Sequence, residues 1–149
     1  MAQVTATAGK IARDVALMAQ PEVGEMLEAP PREGVGASSA MPHKRNPVGC
    51  VHAIAAATRM PGLLASAHAA AAGEHERALG GWQSESATVP EIAGALGSSL
   101  DFLETITASL VVNAERMKAN VVAYGEEGHA ASLEGACDEL LAELAPYLT

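Results

Sequence analysis

Apolar residues recur at spacings of three and four in three stretches of this 149-residue chain. This period places the apolar side chains along one face of a helix. Long helices that each carry one apolar face predict an all-α antiparallel bundle. The predicted faces comprise Val4, Ala8, Ile11, Val15 and Met18 in the first stretch, Val51, Ile54, Ala55, Leu63, Leu64 and Ala67 in the second, and Ile92, Leu96, Leu100, Leu103, Ile106 and Leu110 in the third.

The composition agrees with a helical bundle. Hydrophobic residues make up 49% of the chain and aromatic residues only 3%. Much of the apolar content is alanine, which is the best helix former and a poor strand former. We expect helices over most of residues 3–19, 47–72 and 88–111, and strands limited to a small hairpin near residues 22–36.

Several residues mark the expected ends of these helices. The proline at position 61 is expected to kink or break the second helix. A capping-box pattern at Thr88 marks the start of the third helix, with an earlier start near Trp82 as the alternative. Asn113 is expected to cap a short helix, and Ser132 a last amphipathic helix.

Residues 34–47 form a predicted loop that leads into the second helix. Asn46 suits the N-cap of that helix and Pro47 its first helical position. The free N–H groups and the dipole of a helix N-terminus favour an anion. The loop also carries two hydroxyls and three adjacent basic or near-basic groups: Ser38, Ser39, His43, Lys44 and Arg45. These features predict a site for a carboxylate substrate, with a merely solvated loop as the alternative.

Residues 38–47, Ser-Ser-Ala-Met-Pro-His-Lys-Arg-Asn-Pro, resemble the signature loop of the fumarase/aspartase superfamily. The family pattern is Gly-Ser-Ser-x-Met-Pro-x-Lys-x-Asn-Pro, and the chain departs from it only at Ala37. Residues 74–83, Glu-His-Glu-Arg-Ala-Leu-Gly-Gly-Trp-Gln, resemble the 3-carboxy-cis,cis-muconate cycloisomerases of this superfamily, although Ser86 stands where a second tryptophan is expected. Adenylosuccinate lyases and other superfamily lyases are the alternative.

The resemblance extends over residues 8–121 and implies the central helical domain of such a lyase. Family members are much longer, and their active sites combine three sequence regions from three subunits of a tetramer. We therefore interpret residues 1–149 as a single helical domain, a fragment of a larger lyase-type chain with a divergent tail at 122–149. The region that supplies the usual general-acid histidine has no counterpart here, so the isolated chain is expected to be inactive.

The resemblance also implies a reaction that needs no metal or organic cofactor. Such enzymes make or break a C–O or C–N bond β to a carboxylate. Ser38 would be the catalytic base, activated by a nearby cation, backbone N–H donors and exclusion of water. The implied substrate-binding residues are Ser39, Met41, Lys44, Asn46 and Arg77, the last with an ion pair to a neighbouring glutamate as its alternative role.

Charge and cysteine content limit the remaining possibilities. The net charge of -9 and the pI of about 4.9 argue against nucleic acid and anionic membranes as partners. Two cysteines are too few for a disulfide framework. We expect a cytoplasmic protein that binds a small carboxylate and forms a homo-oligomer, a tetramer by resemblance. The competing hypothesis is a non-catalytic helical assembly module that keeps the loop without the rest of an active site.

Overall fold

The computed structural model describes residues 1–29, 35–41, 44–76, 78–123 and 142. Its elements in chain order are α1 (Ala2–Met18), β1 (Met26–Glu28), α2 (Val48–Ala70), α3 (Gly81–Ala108), β2 (Leu110–Val112) and α4 (Ala114–Ala123). The predicted all-α class is confirmed, and the three long helices lie where the apolar periods predicted them. The helix expected from Ser132 lies outside the described residues.

The long helix α2 packs against both α1 and α3. Early residues of α2 meet late residues of α3, because Cys50 shares a cluster with Ile106, while Met60 shares another with Ile92. The helices α2 and α3 are therefore antiparallel. In the same way Val15, near the end of α1, lies in the cluster of Cys50. The three helices form the antiparallel bundle that the sequence predicts.

The buried face of α1 agrees only in part with the predicted one, because Ala8 and Val15 are buried as predicted while Ile11 and Met18 are half-buried. Val4 is 47% exposed, and the face that is buried consists of Thr5, Ala8, Gly9, Ala12 and Val15. A Cβ placed on Gly9 would overlap the Cβ of Ala57 in α2. The small residues therefore face the bundle because they let the two helix backbones approach closely.

The same correction applies to α2. Val51 was predicted on the buried face but is 56% exposed, and Ala55 is also exposed. The buried residues are Gly49, Cys50, Ala53, Ala56 and Met60. Leu63 and Leu64 are half-buried against the cluster around Met60, as predicted.

Proline does not interrupt α2 or α3, each of which contains one. Residue 61 lies inside α2, so of the predicted kink or break at this position the break is wrong. Packing of Met60, Leu63 and Leu64 against α3 stabilises the helical turns on both sides of the proline. The loss of one backbone hydrogen bond at the proline does not outweigh this packing. The third helix begins at Gly81, the earlier of the two predicted starts, and Thr88 lies within it, donating its hydroxyl to the Ser84 carbonyl at 2.9 Å.

A two-stranded antiparallel sheet fastens one end of the bundle. Strand β1 pairs with β2, and Leu27 lies opposite Val111. Within the described part of the chain the strand content is as small as expected, but the partner of β1 follows α3 instead of forming a local hairpin. Asn113 caps α4 as predicted, since its Oδ1 accepts the Arg116 N–H at 3.0 Å. Arg116 in turn donates to the Val23 and Glu22 carbonyls just before β1.

One described helix, α2, is long and apolar enough to cross a bilayer by length and composition alone, with a mean hydropathy of 1.3. Core helices of helical bundles meet the same criterion.

Candidate functional site

The 34–47 loop is closed at its base by backbone pairing. Asn46 donates its backbone N–H to the Gly36 carbonyl at 2.8 Å, and its side-chain Nδ2 donates to the same oxygen at 3.2 Å. Ala37 and Arg45 form an antiparallel bridge one step further into the loop. The two ends of the loop are therefore held side by side.

Gly36 is required by this closure. Its φ of +74° lies in the left-handed region, and a Cβ at this position would approach the Asn46 carbonyl oxygen to 2.5 Å. Any other residue would be strained by its backbone conformation and would also clash with the opposite side of the loop.

Ser38, the predicted base, lies at a tight turn of the loop. Its Oγ accepts the backbone N–H of Met41 at 3.1 Å, and the Met41 carbonyl accepts the N–H of Lys44 at 3.0 Å. Ser38 is half-buried, while Ser39, Met41 and Lys44 are exposed. The hydroxyl thus has one of the backbone N–H donors that stabilisation of an alkoxide requires.

Asn46 does not cap α2, so this prediction is wrong. Its side chain is used in loop closure, and the N-cap position belongs to Pro47, which makes no side-chain cap bond. The second and third residues of α2 donate their N–H groups instead to Glu28, at 2.8 Å from Gly49 and 3.1 Å from Cys50. A carboxylate from β1 therefore accepts the hydrogen bonds of two free N–H groups at the N-terminus of α2.

The anion at this helix N-terminus is thus part of the protein. Glu28 is only 7% exposed, and it lies beside the fully buried Cys50. Burial raises the pKa of the Cys50 thiol to about 12, with further contributions from a hydrogen bond to Glu28 and from its negative charge. No local sequence pattern indicates this arrangement, because Glu28 and its two donors are 21 and 22 residues apart.

The second predicted region lies at the other end of α2. Residues 74–76 and 78–80 follow the C-terminus of this 23-residue helix, about 35 Å from its start. Arg77 and His43 lie outside the described residues. Trp82 is 55% exposed and lines a cleft of about 400 Å³ between the end of α2 and the start of α3. The structure does not bring this region to the 34–47 loop within one chain.

Two histidines, His52 and His68, lie on α2. The His52 ring stacks on Phe102 with 4.6 Å between centroids, and His68 is exposed in the last turn of the helix. Within the described residues, no group of three or more His, Cys, Asp or Glu side chains has the geometry of a metal site.

Comparison with known proteins places the chain in a family. A lyase family model matches residues 1–62. The chain is 46% identical over 118 residues to 3-carboxy-cis,cis-muconate cycloisomerase from Pseudomonas putida, and 48% identical over 122 residues to the enzyme of that name from Pseudomonas aeruginosa. Each alignment covers 79% of this chain, which spans 28% and 26% of the two relatives.

A solved structure agrees with these relatives. The 3-carboxy-cis,cis-muconate lactonizing enzyme from Pseudomonas putida superposes with a TM-score of 0.71 and 39% identity, over 95% of this chain and 35% of that one. The chain belongs to the fumarase/aspartase superfamily of lyases. Within it, the chain is similar to the 3-carboxy-cis,cis-muconate cycloisomerases, as the sequence of residues 74–83 predicts.

Proposed function

We propose that this chain supplies the 34–47 loop and the central helices of a 3-carboxy-cis,cis-muconate cycloisomerase. Such an enzyme interconverts 3-carboxy-cis,cis-muconate and 4-carboxymuconolactone during the breakdown of protocatechuate and related aromatic compounds. The observation that carries the proposal is the closed loop, which holds Ser38, Lys44 and Asn46 in a chain 46% identical to a cycloisomerase.

Ser38 is the proposed catalytic residue. When a carboxylate of the muconate adds to the double bond, a C–O bond forms and negative charge develops on the neighbouring carbon. The Ser38 hydroxyl gives its proton to that carbon, and in the reverse direction its alkoxide removes the proton. The Met41 N–H already points at Ser38 Oγ, which supports this role because N–H donors lower the energy of the alkoxide.

Lys44 and Asn46 are the proposed carboxylate-binding residues. Lys44 lies three residues beyond Met41 and is tied to the Ser38 turn through its backbone N–H. Its ammonium group would stabilise the charge that grows on the substrate carboxylate. Asn46 keeps one of its two amide hydrogens for the substrate while the other holds Gly36. Ser39, Met41 and Arg77 complete the proposed set of substrate contacts.

We further propose a cytoplasmic homo-oligomer that works without a metal or organic cofactor. The 34–47 loop and residues 74–83 lie at opposite ends of α2. One chain cannot direct both regions at one substrate, so a site that uses both needs a second copy. A tetramer, as the family resemblance implies, meets this requirement.

The experiment is complementation of the chain with the missing part of an active site. We expect no lactonisation from the 149-residue polypeptide alone, because catalytic groups that act as a unit lose most of their effect when one is absent. Addition of an N-terminal piece of the Pseudomonas putida relative should restore turnover of 3-carboxy-cis,cis-muconate. Lys44→Ala should then abolish the restored activity, and Ser38→Ala should lower kcat more than it raises KM.

Lys118→Ala is the matched control, since this exposed lysine lies on α4 and should leave the restored turnover unchanged. Unchanged turnover in Lys44→Ala would disprove the proposed role of the loop. Turnover of adenylosuccinate in place of the muconate would support the alternative lyase. A complemented complex that assembles without any turnover would support the non-catalytic assembly module.

A further inference from the structure

Glu28 connects the two ends of the segment that contains the 34–47 loop. It is the last residue of β1, where the chain leaves the sheet, and its carboxylate accepts hydrogen bonds from Gly49 and Cys50, where the chain enters α2. The next residue, Ala29, donates its N–H to the Ser109 carbonyl at 3.0 Å. The start of the segment is therefore fixed to β1 and to the end of α3.

The contact between Glu28 and α2 is tightly fitted. A Cβ on Gly49 would lie 2.9 Å from Glu28 Oε1 and 3.0 Å from Ile106 Cγ1. Glu28 is buried, and Cys50 at its side is fully buried. The N-cap residue, Pro47, offers no side-chain acceptor. The N–H groups of the first turn would therefore be unsatisfied in a buried position without this carboxylate.

This contact lies directly beside the groups that the loop presents. Only two residues separate Asn46 from Gly49. The bonds from Asn46 to Gly36 close the loop, and the bonds that Glu28 accepts fix the start of the helix that follows Asn46. Rotation of the first turn of α2 would shift Asn46 and Lys44 together, because both lie on the strand-like segment that enters the helix.

We propose that Glu28 is a positioning residue for the 34–47 loop: it holds the start of α2 against β1 so that Lys44 and Asn46 are presented in a single geometry. The effect on catalysis rests on the proposed cycloisomerase function, whereas the effect on loop geometry does not. Glu28 acts through backbone N–H groups and makes no contact with a substrate in this account.

The test compares Glu28→Gln with Glu22→Gln, which removes the same charge from an exposed residue between α1 and β1. Amide hydrogen exchange is measured by NMR at Asn46 and Lys44 in the loop, and at Ala95 in α3 as the reference. Glu28→Gln should accelerate exchange at Asn46 and Lys44 at least about tenfold while Ala95 stays within about twofold. Glu22→Gln should change neither.

Two results would overturn the proposal. Unchanged exchange at Asn46 would mean that Glu28 caps the helix without positioning the loop. Equal acceleration at Asn46 and Ala95 would mean that Glu28 only contributes to global stability. Glu28→Asp retains the charge on a shorter side chain and should give an exchange rate in the loop between those of the wild type and Glu28→Gln. If Glu28→Gln does not fold, the same two criteria are applied to Glu28→Asp.

The catalytic consequence is measured in the complemented enzyme. Glu28→Gln should lower kcat at least about fivefold, and Glu28→Asp should recover part of the loss. Wild-type values of kcat and KM for Glu28→Gln would contradict a role in catalysis. If the complemented wild type shows no lactonisation, the proposed function fails, and the exchange measurement still decides the role of Glu28.

Discussion

Glu28 and Cys50 show how one residue pair determines what the N-terminus of α2 can bind. The free N–H groups of a helix start attract an anion, and here Glu28 is that anion. Under the proposed function, a substrate carboxylate would therefore be bound by side chains of the loop, above all Lys44, and not by the helix dipole. The pair also places a thiol next to a buried negative charge, which opposes ionisation of the Cys50 thiol in the folded protein.

The raised pKa of Cys50 predicts a loss of stability at high pH. The pKa is about 12 in the folded protein and about 8.5 in an unfolded chain. Between these values the unfolded state releases the thiol proton while the folded state retains it, so the free energy of unfolding falls as pH rises. Thermal unfolding should show Tm falling more steeply from pH 8.5 to 11 in the wild type than in Cys50→Ala. Parallel pH profiles would contradict the prediction.

At the scale of helices, the bundle is built on its small residues. Gly9, Ala12 and Ala53 are buried, whereas the larger Val4 and Val51 are about half exposed. Close approach of two backbones increases the dispersion contacts along the whole helix pair. This arrangement explains how a chain with 3% aromatic residues forms a core.

Substitutions of glycine by alanine can test this packing. Gly9→Ala should destabilise the chain by about 1–3 kcal/mol, because the added Cβ overlaps Ala57. Gly97→Ala is the control: it lies in α3 with no atom within 4 Å of the added Cβ, so it should stabilise by about 0.5–1 kcal/mol. Urea unfolding measures both. Equal effects of the two substitutions would show that α1 and α2 do not pack closely at Gly9.

The sequence predicts the existence of each long helix and, in α3, the buried Ile92 and Ile106, but it does not predict the full buried faces of α1 and α2. Apolar spacing identifies a helix because its period is local, and this was enough for α1, α2 and α3. The choice of face depends on the partner helix, and a rule that ranks residues by hydrophobicity selects Val4 and Val51 over Gly9 and Cys50. The break considered at Pro61 does not occur for the same reason, because packing against α3 is not visible in local sequence.

The sequence predicts those parts of the candidate site whose residues are close together in the chain. The residues of the 34–47 loop follow a sequence pattern, and Gly36 forms the turn that its conformational freedom allows. Glu28 could not be found in this way, since its partners are 21 and 22 residues away. Asn46 was assigned to the helix cap because it precedes Pro47, but the acceptor it meets in the structure is the Gly36 carbonyl.

At the scale of the whole molecule, apolar side chains remain on the outside of the bundle. Val89 and Leu100 in α3 are 54% and 42% exposed. They are eleven positions apart in the helix, so they lie within about 20° of each other on the same face. Ala93 and the half-buried Leu96 lie between them on that face. An apolar stripe of this length favours contact with another apolar surface.

The stripe on α3 leads to the prediction that the chain self-associates. Burial of Val89 and Leu100 in a second copy would remove apolar surface from water at each end of the stripe. Sedimentation at tens of micromolar should therefore show an oligomer. The double substitution Val89→Glu with Leu100→Glu should shift the equilibrium toward the monomer, because each contact between copies would then bury unpaired charges. Ala87→Glu with Thr105→Glu is the matched control, since both residues are exposed on α3 but lie about 160° from Val89. A wild-type chain that sediments as a monomer would contradict self-association, and equal shifts in the two double variants would show that this stripe is not the contact surface.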